Sequence, residues 1–233
     1  MAETLITLGI IGVVAAIVMP MLITKYKQQV TINRLKEAYS IFSQVVADSV
    51  RENGEVSDWE KTTNVNTVER YLLPYMKGVR YAKSKKYEKK SLIGNANKYI
   101  QWNNNYAYDM PNGMTFSFSP GAGAAISAGV TRQIAVDING EKAPNRLGND
   151  VFVFKINSDY PNFRPACLDN GHSGGRPLSR DEMLGKNYRF PALEAADGAC
   201  NDKKGKAMYA GQCCGALIMM DGWKISKDYP WKN

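Results

Sequence analysis

The feature that most constrains this chain is an uncharged apolar run near its start, at residues 5–23. The run reads LITLGIIGVVAAIVMPMLI and holds 19 residues. A helix needs about 20 apolar residues to cross the ~30 Å hydrocarbon core of a bilayer. A signal peptide would open with a basic segment and a shorter apolar stretch, whereas this chain opens Met-Ala-Glu-Thr. We therefore predict a membrane-spanning helix rather than a signal peptide or a buried core helix.

A second apolar pattern follows the run and occupies only one side of a helix. Its apolar residues recur every three or four positions: Leu35, Tyr39, Phe42, Val46 and Val50. Gly54 is suited to end such a helix. One helix from residue 5 to residue 53 would be ~70 Å long. We expect its first half to lie in lipid and its second half to pack on a globular head.

Four residues in or beside the apolar run need a specific explanation. Glu3 stands at the edge of the run, where a carboxylate is costly unless it reaches the interface or meets a cation of another chain. Pro20 removes one backbone hydrogen bond and should loosen the helix. Gly9 and Gly12 would let another helix approach closely, although their spacing is not GxxxG. We predict that these residues contact neighbouring subunits.

The first part of the chain resembles a known family. The stretch AETLITLGIIGVVAAIVMPMLITKYKQQVTINRLKEAYSIFSQ is similar to the N-terminal helix of type IV pilins and of the pseudopilins of type II secretion. The matching features are Glu3, the uncharged run, Pro20 and the one-sided continuation with Tyr39 and Phe42. The family's basic leader and its methylated first Phe have no counterpart in a chain that opens Met1-Ala2-Glu3.

The resemblance implies a structural role and a location. The chain would be a subunit of a pilus or pseudopilus filament, built with copies of itself and other pilins by an inner-membrane assembly platform. It would wait in the inner membrane as a single-pass protein, with its head in the periplasm, and later stand on an extracellular filament. Glu3 would face the positive N-terminal amine of a neighbour in the filament. Methylation of the processed chain start would follow if this chain is processed like its family.

Three parts follow from these patterns: residues 1–24 as the membrane and assembly half of the helix, 25–54 as its amphipathic half, and 55–233 as the head. Alternating residues predict strands at 106–110, 115–119, 132–138 and 151–156, the first two joined by an Asn-Gly turn. We predict an α+β protein in which the helix packs on a four-stranded antiparallel sheet, the pilin fold. The loop-rich last third would close with a hairpin over 215–226, on an Asp-Gly turn.

The four cysteines all lie in the last third, at Cys167, Cys200, Cys213 and Cys214. No C-x-x-C spacing occurs, so a structural zinc site is disfavoured. Clustering in a loop-rich segment favours disulfides in an oxidising compartment. A bridge between the adjacent Cys213 and Cys214 would be strained. We expect Cys200 to pair with one of these two and Cys167 with the other.

Two segments of the head suggest ligands. The loop at 137–150 offers Asp137, Asn139 and Asp150, and some pseudopilins bind calcium in a head loop. The EF-hand spacing is absent, and these are also ordinary turn residues, so we predict no metal or other cofactor and keep calcium as the weaker alternative. Residues 83–90 hold five lysines in a chain of net charge +8: Lys83, Lys85, Lys86, Lys89 and Lys90. We favour a solvated loop over a patch that binds DNA or another anion.

The sequence does not favour an enzyme. Its one histidine, His172, lies in a Gly-rich loop beside Ser173, without an evident orienting acid. We predict a filament subunit. The alternatives are a minor pilin that binds DNA or a surface through the lysine segment, and a single-pass membrane adhesin that never polymerises.

Overall fold

A computed structural model of the chain describes residues 2–60, 64–82, 107–119, 132–140, 142–158, 162–168, 177–186, 199–201 and 210–231. One helix, α1, covers Ala2–Asn53 without a break and contains 52 residues. At 1.5 Å per residue it is about 78 Å long. Gly54 ends it as predicted: its φ is 80° and its N–H donates to the Val50 carbonyl at 3.0 Å. This αL termination needs a residue that tolerates positive φ.

The two halves of α1 differ in burial. No residue from 2 to 30 is buried. The buried residues of α1 begin at the next position and follow its apolar side: Thr31, Ile32, Leu35, Ala38, Phe42, Val45, Val46 and Ser49. α1 thus has an exposed apolar first half and a second half that packs on the head.

Within the parts of the chain that the structure describes, six strands form one antiparallel sheet in the order β1-β2-β3-β4-β5-β6. The strands are β1 (Arg80–Ala82), β2 (Ala107–Asp109), β3 (Thr115–Ser119), β4 (Arg132–Asp137), β5 (Val151–Ile156) and β6 (Phe163–Pro165). The predicted α+β class is confirmed, but the prediction of four strands is wrong. Strands β1 and β6 have three residues each, too few for a visible alternation. β6 also contains Pro165, which is tolerated because it lies in an edge strand.

Strands β2 and β3 form the predicted hairpin. The Gly113 N–H donates to the Met110 carbonyl at 3.0 Å, and the Met110 N–H donates to the Met114 carbonyl at 2.9 Å. Gly113 has a φ of 80°, which explains why the Asn-Gly pair favours this turn.

Aromatic side chains join α1 to the sheet. Phe42 is fully buried; its ring meets Phe116 of β3 edge-on at 5.1 Å and stacks on Phe163 of β6 at 5.7 Å. Tyr39, one turn earlier, lies 6.4 Å from Phe154 of β5. Both residues belong to the apolar stripe that the sequence predicted, so the stripe lies across the sheet.

A short second helix packs near the end of α1. Helix α2 spans Asn64–Tyr71 and is followed by a 3-10 turn at Leu73–Tyr75, which contains Pro74. The helix stays short because Pro74 follows it closely and cannot continue it. Trp59 stacks on Tyr71 at 4.5 Å and donates its indole N–H to the Gly54 carbonyl at 3.1 Å. These contacts fix the exit of the chain from α1.

The C-terminal region contains two short helices, α3 (Arg180–Met183) and α4 (Cys214–Met220). A capping box starts α3, since Ser179 and Glu182 bond to each other's backbone N–H. The prediction of a hairpin over 215–226 is wrong. Gly222, with a φ of 73°, ends α4 instead: its N–H reaches the Met219 carbonyl and the next N–H, of Trp223, reaches the Ile218 carbonyl. This is a Schellman motif, and a short apolar run cannot be distinguished from a strand by periodicity alone.

Candidate functional site

Within the described ranges, the largest exposed apolar surface is the apolar half of α1. Its thirteen large apolar residues between positions 5 and 23 are 50% to 70% exposed. Among the described residues, α1 is the one helix long and apolar enough to cross a membrane, and its most apolar window has a mean hydropathy of 2.6 with no part of it buried. Soluble monomers rarely expose a continuous apolar surface of this size. This half of α1 therefore needs lipid or protein around it.

Glu3 lies in the first turn of α1 and is exposed. It is the one charged side chain before Lys25. A carboxylate is stabilised at a helix N-terminus by the unpaired N–H groups there. Within the described part of the chain, no cation forms an ion pair with Glu3. Its carboxylate is therefore available to a cation on another molecule.

The glycines of the run leave free space on the surface of α1, and the proline does not interrupt the helix. A methyl group added at Gly9 or Gly12 would meet nothing within 4 Å. α1 continues through Pro20, although Pro20 has no N–H for the Ala16 carbonyl. One turn later, Thr24 donates its hydroxyl to the Pro20 carbonyl at 3.0 Å. The helix surface at these positions can thus accept another helix without a change in this chain.

The loop at 137–150 brings together Asp137, Asn139 and Asp150, the three residues of the less favoured calcium alternative. The Asn139 amide donates to the Asp150 carboxylate at 3.2 Å, and the Asn139 N–H donates to the Asp137 carboxylate at 3.3 Å. The Asp150 carboxylate also accepts the N–H groups of Asn145 and Arg146, at 2.9 and 2.6 Å. The loop is thus held by its own donors. Over the described ranges, no group of three or more His, Cys, Asp or Glu side chains could hold a metal ion.

Two disulfides gather three segments of the head at the start of α4. Cys167 pairs with Cys213, and Cys200 pairs with Cys214. This is one of the two arrangements that the sequence left open. All four cysteines are buried. A methyl group added at Gly148 would lie 2.7 Å from the Cys214 sulfur, so the 137–150 loop packs directly on this cluster.

An ion cluster closes the C-terminal region. Arg180, at the start of α3, donates to both carboxylate oxygens of Asp221 at 2.6 and 2.9 Å. It also donates to both carboxylate oxygens of Asp228 at 2.9 and 2.8 Å. Hydrogen bonds from Arg180 hold the pKa of both carboxyls below their usual range, and the Ser226 hydroxyl lies within hydrogen-bonding distance of both, at 2.7 and 2.8 Å. We call these four residues the Arg180 clamp.

The comparisons with known proteins give one match. A family model described as "Family of unknown function (DUF6613)" matches residues 21–233. The chain belongs to this family. The match covers the one-sided half of α1 and the whole head. No curated protein and no solved structure matches the chain.

Two predicted features of this DUF6613 member lie outside the described residues. One is the lysine segment: Lys83, Lys85, Lys86, Lys89 and Lys90. The other is the loop around His172. Both stay predictions.

The Arg180 clamp of this DUF6613 member was not predicted. Arg180 is placed by the local capping box at Ser179, but its partners Asp221 and Asp228 lie 41 and 48 residues further along the chain. A single sequence carries no signal for a contact at that separation. The Asp-Gly pair at 221–222 predicts a turn, and nothing in it indicates that Asp221 binds Arg180.

Proposed function

We propose that this chain is a structural subunit of a type IV pilus-like or type II secretion pseudopilus filament. Before assembly it is held in the inner membrane by residues 5–23 as a single-pass protein, with its head in the periplasm. After assembly the head stands on the filament surface. One observation carries the proposal: an unbroken helix that is bare and apolar in its first half and docked on a sheet in its second.

Burial of the exposed apolar half of α1 in lipid or against protein is strongly favoured by the hydrophobic effect. Fully burying one large apolar side chain contributes about 1.5–3 kcal/mol. Because the thirteen large apolar residues of the run are 50% to 70% exposed, covering them would contribute roughly 12–23 kcal/mol. This is comparable to or larger than the 5–15 kcal/mol that typically separates a folded domain from its unfolded state. Lipid provides the cover in the membrane, and the corresponding helices of neighbouring copies provide it in a filament. A filament therefore allows this segment to leave the bilayer without exposure to water.

The rest of the chain is consistent with this role. The resemblance of the N-terminal stretch implies the pilin fold, an α+β arrangement. Three features agree with it: the antiparallel sheet, the helix across the sheet and the disulfide-bonded C-terminal loops. The disulfides fit a head outside the cytoplasm. The partners are copies of this chain, other pilins and an inner-membrane assembly platform. The protein is not proposed to be an enzyme.

Glu3 is proposed to select the register between copies. In the hydrocarbon-like centre of a filament an unpaired carboxylate is costly, whereas one paired with a neighbour's N-terminal amine is tolerated. The exposed position of Glu3 in the first turn supports this role. Gly9 and Gly12 would lie at the closest approach of two helices.

The test replaces Glu3 by leucine in the full chain and measures two properties in the producing cell. We expect Glu3→Leu to reduce filaments, sheared from the cell surface and counted by electron microscopy, at least tenfold. Membrane insertion, measured as resistance to alkaline carbonate, should be unchanged because the run becomes more apolar. Glu55→Leu, which changes an exposed acid just past α1, is the matched control and should assemble normally.

Three outcomes would contradict the proposal. Normal filaments from Glu3→Leu would remove the role of Glu3. Wild-type chain that inserts into the membrane and never forms filaments would favour the non-polymerising adhesin. Extraction of the wild-type chain by carbonate would remove the membrane anchor itself.

A further inference from the structure

A groove lies at the neck of the molecule, where α1 leaves the head. Its volume is about 580 Å³. One wall is α1 from Tyr26 to Arg34, and the other is formed by residues 138–139, 142–144 and 149–150 together with Trp231. We call it the neck groove. We infer that the neck groove binds the headgroup of an anionic phospholipid from the membrane that α1 enters.

The end of the neck groove nearest the apolar run lies at the depth of the headgroup layer. The apolar run ends at Ile23, and the polar layer of a bilayer extends about 5–8 Å beyond the hydrocarbon core. Tyr26 and Lys27 lie three and four residues past Ile23, which is about 4.5–6 Å along the helix. Tyr26 is 70% exposed, so this end of the groove is open. Tyr is enriched at this level of membranes because its ring is apolar and its hydroxyl is polar.

The charge of the neck groove favours an anion. Three cations line it: Lys27, Arg34 and Lys142. Among the described residues of the lining, the one acid is Asp150, whose carboxylate already accepts two backbone N–H groups. Across the ranges that the structure describes, neither Lys27 nor Lys142 forms an ion pair, and both are exposed. Each cation at this level contributes to the attraction of anionic lipids.

The lining also has the apolar part that a lipid requires. Val30, Ile138, Pro144 and Trp231 lie in the same groove. A phospholipid presents a phosphate joined to acyl chains, so it matches both groups at once, whereas inorganic phosphate matches only the cations. The apolar segment of a neighbouring copy matches less well, because Glu3 is the one acid that its first 24 residues carry. The inference rests on the membrane anchor of the proposed function and not on filament assembly.

The test uses the full chain in dodecyl maltoside micelles at 0.15 M salt. Dioctanoyl phosphatidylglycerol, dioctanoyl phosphatidylcholine and inorganic phosphate are titrated separately, and the unfolding midpoint of the head is followed by tryptophan fluorescence. We expect phosphatidylglycerol to raise the midpoint by about 5–10 °C at 100-fold excess over its Kd. The other two should shift it by less than about 1 °C. Equal shifts with phosphatidylcholine would overturn the charge argument, and equal shifts with phosphate would show a free-anion site instead.

Variants locate the site. The double variant Lys27→Gln/Lys142→Gln should bind phosphatidylglycerol about 30-fold more weakly, at about fivefold per cation removed. The matched control, Lys77→Gln/Lys186→Gln, removes two exposed lysines outside the groove and should bind normally. Equal losses in both pairs would show general attraction to the micelle and refute the neck groove. Carbonate resistance of the wild-type chain is measured in parallel, because its loss would indicate a failed anchor rather than a failed lipid site.

Discussion

Phe42 lies at the point where α1 packs on the head. Its truncation should lower the free energy of unfolding of the head, whereas truncation of a residue in the exposed half of α1 should not. The ring is fully buried and contacts two aromatic rings of the sheet, at 5.1 and 5.7 Å. Phe→Ala in a core costs about 3–5 kcal/mol, and the lost ring pairs place Phe42→Ala in the upper part of that range. We take about 4 kcal/mol. With a urea dependence of ~2 kcal/mol/M, the unfolding midpoint should fall by ~2 M.

The assay is urea unfolding of the full chain in dodecyl maltoside, followed by tryptophan fluorescence. Ile17→Ala is the matched control, since Ile17 is in the same helix but 66% exposed. It should change the free energy of unfolding of the head by less than ~0.5 kcal/mol. A cost of less than ~1 kcal/mol for Phe42→Ala, or an equal cost for Ile17→Ala, would refute the division of α1 into a bare half and a docked half.

Three further predictions concern the head. Arg180 lowers the pKa of two aspartates, so its contribution to the stability of the head is present above about pH 4 and is lost as pH falls further. Arg180→Met should cost about 1.5–3 kcal/mol of unfolding free energy at pH 7. Parallel curves of urea midpoint against pH for the wild type and the variant would contradict this. Gly148→Ala should cost about 2–4 kcal/mol of unfolding free energy, because the φ of 80° disfavours a side chain and the methyl group meets the Cys214 sulfur. Gly113→Ala, at a glycine with the same φ but open space around it, should cost only ~1–2 kcal/mol. Equal costs would show that the contact with the Cys214 sulfur does not matter. Reduction of both disulfides, which close loops of 46 and 14 residues, should cost at least ~4 kcal/mol on the chain-entropy model, and an unchanged midpoint in reductant would contradict that.

Local patterns predicted the parts of the fold whose signals are repeated along the sequence. The helix carries its period over many turns, so both its length and its docked face could be predicted. The strands with five or six residues also showed their alternation. The edge strands β1 and β6 did not, because a segment of three residues forms a strand only when a longer neighbour offers its unpaired groups. Helix α4 was mistaken for a strand because its burial on all sides removes the amphipathic pattern.

The sites depend on contacts between distant residues, and these were harder to predict. The exposed acid at position 3 and the bare apolar surface follow directly from composition. The cysteine pairing stayed open because two adjacent cysteines give identical loop arguments. The neck groove is formed by residues near position 30, near position 145 and at position 231, so no window of the sequence contains it.

The most direct measurement places a photo-activatable amino acid at position 11, in the middle of the bare helix, in cells that produce the full chain. After illumination, adducts are separated by size and identified by mass spectrometry. A filament subunit stored in a bilayer should give lipid adducts and a ladder of cross-linked copies of itself. Adducts to this chain's own head, or a side chain that reacts with water alone, would contradict the account.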